Sequence, residues 1–228
     1  MYCSQEAFAN ISDQLNLLPE NGLTFWGSGN YHYATLARLK RIDRPFSLIL
    51  FDHHTDLKEG RIGSLLSCGS WVRHAIADLV NLKKVTIIGP DPTKAPITQI
   101  DGRQQVTIFP EKDLPSAARI LDAVPTEHVY ISVDKDLLSE HDAKTNWDQG
   151  NVSVMNLVAL IETIIDKTKV EGIDVCGEWP IRPHEHFDHQ TRLCLRKNER
   201  SNLLLAQGFL NRICVTKEKT DHFTKHVV

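Results

Sequence analysis

Residues 46–56, Phe-Ser-Leu-Ile-Leu-Phe-Asp-His-His-Thr-Asp, constrain the fold of this chain more than any other stretch. The first six are mostly apolar, and such a run predicts a strand buried on both faces of a parallel sheet. Asp52, His54 and Asp56 then follow at every second position, so an extended chain would turn all three side chains the same way. Converging carboxylates and imidazoles repel or stay protonated unless a cation lies between them. The stretch therefore predicts a strand that ends in a metal site.

A second stretch further along the chain repeats this pattern. Residues 128–133, His-Val-Tyr-Ile-Ser-Val, predict another strand, which is followed by Asp134 and Asp136 with the same spacing. One such cluster alone is as easily a solvated loop after a strand. Two clusters in one chain favour a shared cation site, because ligands of open α/β sheets bind at the carboxyl ends of the strands.

The rest of the chain alternates between strand-like and helix-like patterns, which predicts an α/β fold with three layers, α-β-α, around a mostly parallel sheet. We expect a single domain over residues 1–228, because no linker or low-complexity tract divides the sequence. A polar stretch rich in His and Arg, residues 181–200, is predicted to be a loop. Predicted strands cover residues 23–26, 46–51, 85–88, 106–109, 128–133 and 170–175, and predicted helices cover residues 4–17, 33–42, 72–82, 116–124, 154–168 and 202–211.

Other histidines are weaker candidates for metal binding. His32 follows the first long strand and two glycines, near the predicted start of a helix. A lone His there is usually structural, but the two Asp clusters need a further nitrogen ligand, and His32 could supply it. His184, His186 and His189 lie in the polar stretch without cysteines nearby, and we interpret them as part of a solvated loop.

Composition argues against several classes of function. The net charge is −3, so electrostatics give no reason to expect nucleic acid or an acidic membrane as a partner. No apolar run approaches the ~20 residues of a membrane span, and the first residues lack the pattern of a signal peptide. The five cysteines are odd in number and scattered, which suits a reducing compartment. We therefore expect a cytoplasmic protein that acts on a small molecule.

The two Asp clusters resemble motifs of the arginase–agmatinase–formiminoglutamase (ureohydrolase) family. Residues 52–56 resemble its Asp-Ala-His-x-Asp motif, with His53 in place of Ala, and residues 132–136 resemble its Ser-x-Asp-x-Asp motif. The resemblance spans roughly residues 23–180 and implies the arginase–deacetylase-like fold. Approximate matches to the family's Gly-Gly-Asp-His and Ser-His-Gly-Thr-Pro-Phe-Arg motifs are Gly29-Asn-Tyr-His32 and Ser67-Cys-Gly-Ser-Trp-Val-Arg73.

This resemblance implies a binuclear manganese centre with two Mn2+ per chain, which hydrolyses a guanidino, amidino or formimino C–N bond through a hydroxide that bridges the ions. It also implies a catalytic role for Asp136. An oxygen-rich ligand set with two imidazoles and no thiolate suits Mn2+ better than structural Zn2+. The resemblance assigns His32, Asp52, Asp56 and Asp134 to one ion, and Asp52, His54, Asp134 and Asp136 to the other.

The sequence departs from the family pattern at several functional positions. Cys68 stands where the family has a proton-shuttling His, and we predict that it is catalytic, although a small buried residue is an equal alternative. Glu178 lies one position later than the glutamate of the family's Asp-x-x-Glu motif, and we predict that it binds substrate together with Trp147 of the polar loop 137–150. Substrate specificity therefore does not transfer from the family.

Two other functions stay open at this point. One is a deacetylase-like metal amidohydrolase, which would keep one Asp-His-Asp metal set. The other is a non-catalytic protein of the family that keeps the metal site for stability or ligand binding. Members of the family are often homo-oligomers, but no residue of this sequence indicates an interface, so the assembly also stays open.

Overall fold

The computed structural model describes residues 2–18, 22–59, 65–91, 93 and 105–224, without the side chains of residues 183, 186 and 211–224. Its strands are β1 (Tyr2–Cys3), β2 (Leu23–Gly27), β3 (Phe46–Phe51), β4 (Leu66–Ser67), β5 (Leu82–Ile88), β6 (Val106–Phe109), β7 (His128–Asp134) and β8 (Lys169–Cys176). Its α-helices are α1 (Gln5–Asn16), α2 (Thr35–Leu39), α3 (Trp71–Asp78), α4 (Ala117–Asp122), α5 (Val154–Ile165) and α6 (His189–Thr224).

Six parallel strands form the central sheet in the order β2-β8-β7-β3-β5-β6. All six residues of β3 are buried, which explains why the strand is almost uniformly apolar rather than alternating. The register between β3 and β7 runs from Phe46 opposite His128 to Phe51 opposite Val133. Asp52 follows Phe51, and Asp134 follows Val133. These two aspartates therefore leave the carboxyl edge of the sheet side by side.

Each face of the sheet packs against its own helices. Ile49 and Phe51 point into the core that α5 and part of α6 complete, whereas Leu48 and Leu50 pack with Trp71 and residues of α2 on the other face. Residues at alternate positions share a face, so Asp52 continues the row of Leu48 and Leu50. The predicted three-layer fold is confirmed: a parallel sheet lies between two helical layers.

The polar stretch 181–200 was wrongly predicted to be a loop. A 3-10 turn covers Pro183–Phe187, and α6 begins at His189. The buried side of this helix contains polar residues that form hydrogen bonds. The segment therefore lacks the apolar stripe by which a helix is recognised in a sequence. Among the described side chains of α6, those buried are Thr191, Asn198, Ser201, Leu205 and Phe209.

Part of this polar side of α6 binds the loop between β7 and α5. The amide of Asn198 accepts a hydrogen bond from the backbone N–H of Lys144 (3.0 Å) and donates one to its carbonyl (2.8 Å). Ser201 Oγ donates to the carbonyl of Asp142 (2.6 Å). His184 and His189 are exposed and belong to no candidate metal-binding group of described residues, whereas the side chain of His186 lies outside the described part.

Two further boundaries differ from the predictions. The helix predicted over residues 72–82 ends at Asp78, and β5 already begins at Leu82, which pairs with Phe46. Leu82 has the spacing of a helical residue, but burial in the sheet makes it part of the strand. The helix predicted over residues 33–42 divides into a 3-10 turn over Gly29–Ala34 followed by the short α2.

We predict that Leu157→Ala lowers the free energy of unfolding by about 2–5 kcal/mol, because it leaves a cavity in the core between α5 and the sheet. Met155→Ala on the same helix removes a side chain that is 58% exposed and is the matched control, with a change within about 0.5 kcal/mol. Urea denaturation measures both values. Equal losses in the two variants would contradict the packing of α5 described above.

Candidate metal centre

The site forms where β3 and β7 end. After β3 the chain turns so that Asp56 adopts a left-handed backbone conformation with φ of 52°. Asp tolerates this region better than most non-glycine residues, and such conformations are often found at functional sites. The 3-10 turn that carries His32 approaches from β2. Gly29 permits this approach, because a Cβ atom there would lie 2.7 Å from Asp134 Oδ2.

His32 lies at the centre of the first group of candidate ligands. Its buried Nδ1 is 3.4 Å from Asp52 Oδ2, 3.2 Å from Asp56 Oδ2 and 3.6 Å from Asp134 Oδ2. In the described part of the chain, this nitrogen has no hydrogen-bond partner of acceptable geometry. A buried nitrogen that faces three carboxylate oxygens without a hydrogen bond is the arrangement expected of a metal ligand.

The orientation of the His32 ring is set from its opposite side. Ser132 Oγ donates a hydrogen bond to Asp174 Oδ1 (2.6 Å), so it is available to accept one from His32 Nε2 (2.9 Å). We infer that, in the neutral ring that metal binding requires, the proton lies on Nε2, which leaves the lone pair of Nδ1 directed at the carboxylates. Tyr130 donates to the other oxygen of Asp174 and holds this carboxylate in place.

A second group of candidate ligands surrounds His54. Its Nδ1 is 2.8 Å from Asp136 Oδ2 and 3.6 Å from Asp52 Oδ1, and its Nε2 is 3.1 Å from Asp148 Oδ1. Asp52 therefore faces His32 with one oxygen and His54 with the other, and joins the two groups. The structure brings all six predicted ligands into this one cluster: His32, Asp52, His54, Asp56, Asp134 and Asp136.

Burial and mutual repulsion alter the acidity of these carboxyl groups. Burial raises the pKa of Asp56 to about 6, with a further contribution from the charge of Asp52. Burial also raises the pKa of Asp134, and it raises that of Asp136 well above its ordinary value. Asp52 differs: burial alone would raise its pKa, but the neighbouring rings of His32 and His54 outweigh burial and lower it.

The pKa values of the two imidazoles are raised as well. Burial opposes the charged ring of His54, but hydrogen bonds to Asp136 and Asp52 outweigh it and raise the pKa to about 12. Without a cation, the cluster thus retains protons that free side chains would lose near neutral pH. Divalent cations can replace these protons, and the residues present fit such ions in both the number and the type of their donor atoms.

Several residues at the centre were not predicted from the sequence. Trp71 Nε1 donates to Asp56 Oδ2 (2.6 Å), and Cys176 Sγ donates to Asp134 Oδ2 (3.1 Å). The predicted ligand set contained no thiolate, whereas the structure places the thiol of Cys176 beside Asp134. Asp174 and Cys176 are two residues apart at the end of a predicted strand, so their side chains share a face. This spacing could have identified Cys176 as a residue of the site. No local pattern connects Trp71 with Asp56.

A cavity of about 40 Å³ opens onto the cluster, and a wider one of about 550 Å³ lies beyond it. The two share Lys58, Cys68, Gly69 and Trp147 in their walls. The predicted residues Cys68 and Trp147 thus lie beside the cluster. Burial and the neighbouring Asp56 raise the pKa of the Cys68 thiol to about 11, so it stays protonated at neutral pH.

Glu178 lies elsewhere, since it is not among the described residues of either cavity wall. Its Oε1 accepts hydrogen bonds from the buried Lys135 Nζ (2.5 Å) and from Asn202 Nδ2 (2.7 Å). Gly177, with φ of 91°, turns the chain between the end of β8 and Glu178. A buried ammonium group needs a counter-charge, and Glu178 supplies it to Lys135 rather than to the cavity.

Comparison with known proteins agrees with this architecture. An uncharacterized protein of Thermotoga maritima is 35% identical over 164 residues, which are 72% of this chain and 61% of that protein. The solved structure of proclavaminate amidino hydrolase from Streptomyces clavuligerus has a TM-score of 0.65 at 19% identity and covers 90% of this chain and 72% of its own. Trypanosoma cruzi formiminoglutamase with Mn2+ has a TM-score of 0.67 at 12% identity, with the same coverage of 90% and 72%.

At these identities the structural likeness establishes the fold, which is that of arginase-like α/β proteins. The sequence profile of the Arginase family matches residues 4–192, and the chain belongs to this family. It spans 61% of the length of its Thermotoga maritima relative, which is less than two thirds. Within the described residues, no helix is both long enough and apolar enough to cross a membrane.

We predict that the protein stripped of divalent ions loses thermal stability as the pH rises from about 4 to about 8. The folded pKa of Asp56, about 6, exceeds its ordinary 3.8, so its contribution is complete below 3.8 and is lost as the pH rises through about 6. The contribution of His54 is complete below its ordinary pKa of 6.5 and declines from there towards its folded pKa of about 12. Melting temperatures measured in chelator across this range test the sign.

Asp56→Asn is the control, because it removes one of the carboxyl groups with a raised pKa. Its melting temperature should fall less steeply between about pH 4 and 6 than that of the parent protein. Saturating Mn2+ should stabilise the parent more strongly at higher pH, since metal ligands must be deprotonated. A parent protein whose stability without metal rises over the whole range would contradict the arrangement of the cluster.

Proposed function

We propose that this chain is a hydrolase of linear C–N bonds in a small guanidino, amidino or formimino compound, and that it uses two Mn2+ ions per chain. The observation that carries the proposal is the convergence of four carboxylates and two imidazoles around Asp52, at the mouth of a cavity, in a chain of the Arginase family. The Mn2+ of the Trypanosoma cruzi formiminoglutamase supports the choice of metal.

The proposed ligands divide into two overlapping sets. His32, Asp52, Asp56 and Asp134 would hold one ion, in agreement with the distances from His32 Nδ1 to the three carboxylates. Asp52, His54, Asp134 and Asp136 would hold the other. Two divalent cations held there would supply a water of lowered pKa and positive charge against the charge that develops during hydrolysis.

Other residues of the cavity act on the substrate, and Asp136 does so in addition to its place in the second ligand set. Asp136 is positioned to hold or transfer a proton, because its Oδ1 accepts the backbone N–H of His53 (3.0 Å) while Oδ2 contacts His54. The indole of Trp147 offers an apolar wall against which a planar amidino group can pack. Lys58 brings a positive charge to the walls of both cavities, and we propose that it binds an anionic group of the substrate.

A specific observation supports a second candidate, a metal-binding protein without catalytic activity. The protonated thiol of Cys68 stands at the position of the family's proton-shuttling His, and Lys135 engages Glu178 away from the cavity. Proton delivery to a leaving amine would then be absent. Activity in Cys68→His but not in the parent protein would favour this candidate.

We predict two Mn2+ ions per parent chain after reconstitution and removal of free metal, as measured by elemental analysis. Asp52→Asn should lose both ions, because Asp52 belongs to both sets, whereas His32→Ala should lose mainly one. Asp78→Asn removes an exposed carboxylate outside the cluster and should keep both ions. Equal loss in Asp52→Asn and His32→Ala would contradict the proposed division of ligands, and a folded parent without bound metal would overturn the proposal.

We predict that the Mn2+-loaded protein releases urea, ammonia or formamide from at least one member of a panel of guanidino, amidino and formimino compounds. At matched metal content, Asp136→Asn should lower kcat by about 10²- to 10⁴-fold, because it removes a group that transfers protons. Lys58→Met, compared with Lys58→Arg, should raise KM for substrates that carry a carboxylate and leave neutral analogues unaffected. Turnover that persists in Asp136→Asn would contradict its assigned role.

A further inference from the structure

One thiol lies within the candidate ligand cluster itself. Cys176 ends β8 and is buried, and the register between β7 and β8 places it opposite Asp134. His32, Asp134 and Cys176 each offer a ligand atom, and these atoms lie within 4.8 Å of one another. These separations are close to those of ligands that share one cation at the usual distances of about 2.0–2.3 Å.

Two further observations separate Cys176 from an ordinary buried cysteine. Asp134 and His32 both belong to the set proposed for one ion, and the unpartnered Nδ1 of His32 is directed into that set. Cys68 provides the contrast. It is also buried beside the cluster and lines the cavity, yet it belongs to none of the ligand groups found among the described residues.

We propose that Cys176 is a thiolate ligand of the ion held by His32 and Asp134, which gives this position a mixed nitrogen, oxygen and sulfur ligand set. The inference rests on the proposed function and refines it. As the ion binds, the Sγ–H bond breaks, the proton passes to solvent and a sulfur–metal bond forms, without oxidation or reduction. The thiol proton that hydrogen-bonds to Asp134 is the one released.

A sulfur ligand changes which metal this position prefers. Thiolates are soft donors that favour Zn2+, Fe2+ or Co2+ over the hard Mn2+, and divalent affinities rise from Mn2+ to Co2+ in most protein sites. We expect the position at His54, which has only oxygen and nitrogen donors, to accept Mn2+ readily. The two halves of the centre should thus differ in metal selectivity because of Cys176.

Titration of the metal-free protein with Co2+ alone tests the inference, because Co2+ bound to a thiolate has a charge-transfer band in the near ultraviolet. The parent protein should show this band. Cys176→Ser should lose it while it still binds Co2+, and Cys68→Ser, the matched control, should keep it. A parent that binds Co2+ without the band, or a band that disappears only in Cys68→Ser, overturns the inference.

X-ray absorption of the Zn2+-loaded parent needs no variant and keeps the test valid if Cys176→Ser fails to fold. A sulfur neighbour at about 2.3 Å supports the inference, and a shell of only nitrogen and oxygen at about 2.0–2.2 Å overturns it. The proposed function is tested separately by metal content. Two bound ions without sulfur refute only the thiolate ligand, whereas a folded chain that binds no metal refutes both.

Discussion

Electrostatic repulsion among four buried carboxylates is the constraint on which the rest of this structure depends. Asp52 and Asp134 emerge side by side from adjacent strands, because the register of β3 and β7 leaves no alternative. Such a cluster is unfavourable on its own, and protons, imidazoles and backbone donors all reduce the repulsion. His54 N–H donates to Asp52, and the N–H of Asp136 donates to Asp134. Divalent cations would neutralise the repulsion that remains.

The residues around the cluster hold its side chains in fixed orientations through hydrogen bonds. Tyr130 holds Asp174, Asp174 holds Ser132, and Ser132 fixes the His32 ring through a further hydrogen bond. Trp71 fixes Asp56 in the same way. Each ligand with such a support loses little further freedom when an ion binds, because its rotamer is already fixed. The same features explain why the apolar core reaches so close to a group of ionisable side chains.

The parts of this architecture that follow from a regular local pattern in the sequence could be predicted, and those that depend on contacts between distant residues could not. The apolar run of β3 and the alternate spacing of Asp52, His54 and Asp56 predict a strand and the candidate ligands after it from local pattern alone. The start of α6 was missed because its buried stripe contains Asn198 and Ser201, which satisfy the loop between β7 and α5 instead of an apolar core. The pairing of Glu178 with Lys135 likewise joins residues that no spacing rule connects.

The loop between β7 and α5 is attached to α6, and this attachment has a consequence for how the protein can evolve. Trp147, in the wall of the cavity, follows the residues of this loop that Asn198 and Ser201 hold in place, whereas the six candidate ligands precede those residues in the loop or lie on other segments of the chain. Substitutions on α6 can therefore alter the shape of the entrance without altering the candidate metal centre beneath it. The fold separates the two physically, so the entrance can change during evolution while the cluster of carboxylates and imidazoles is preserved.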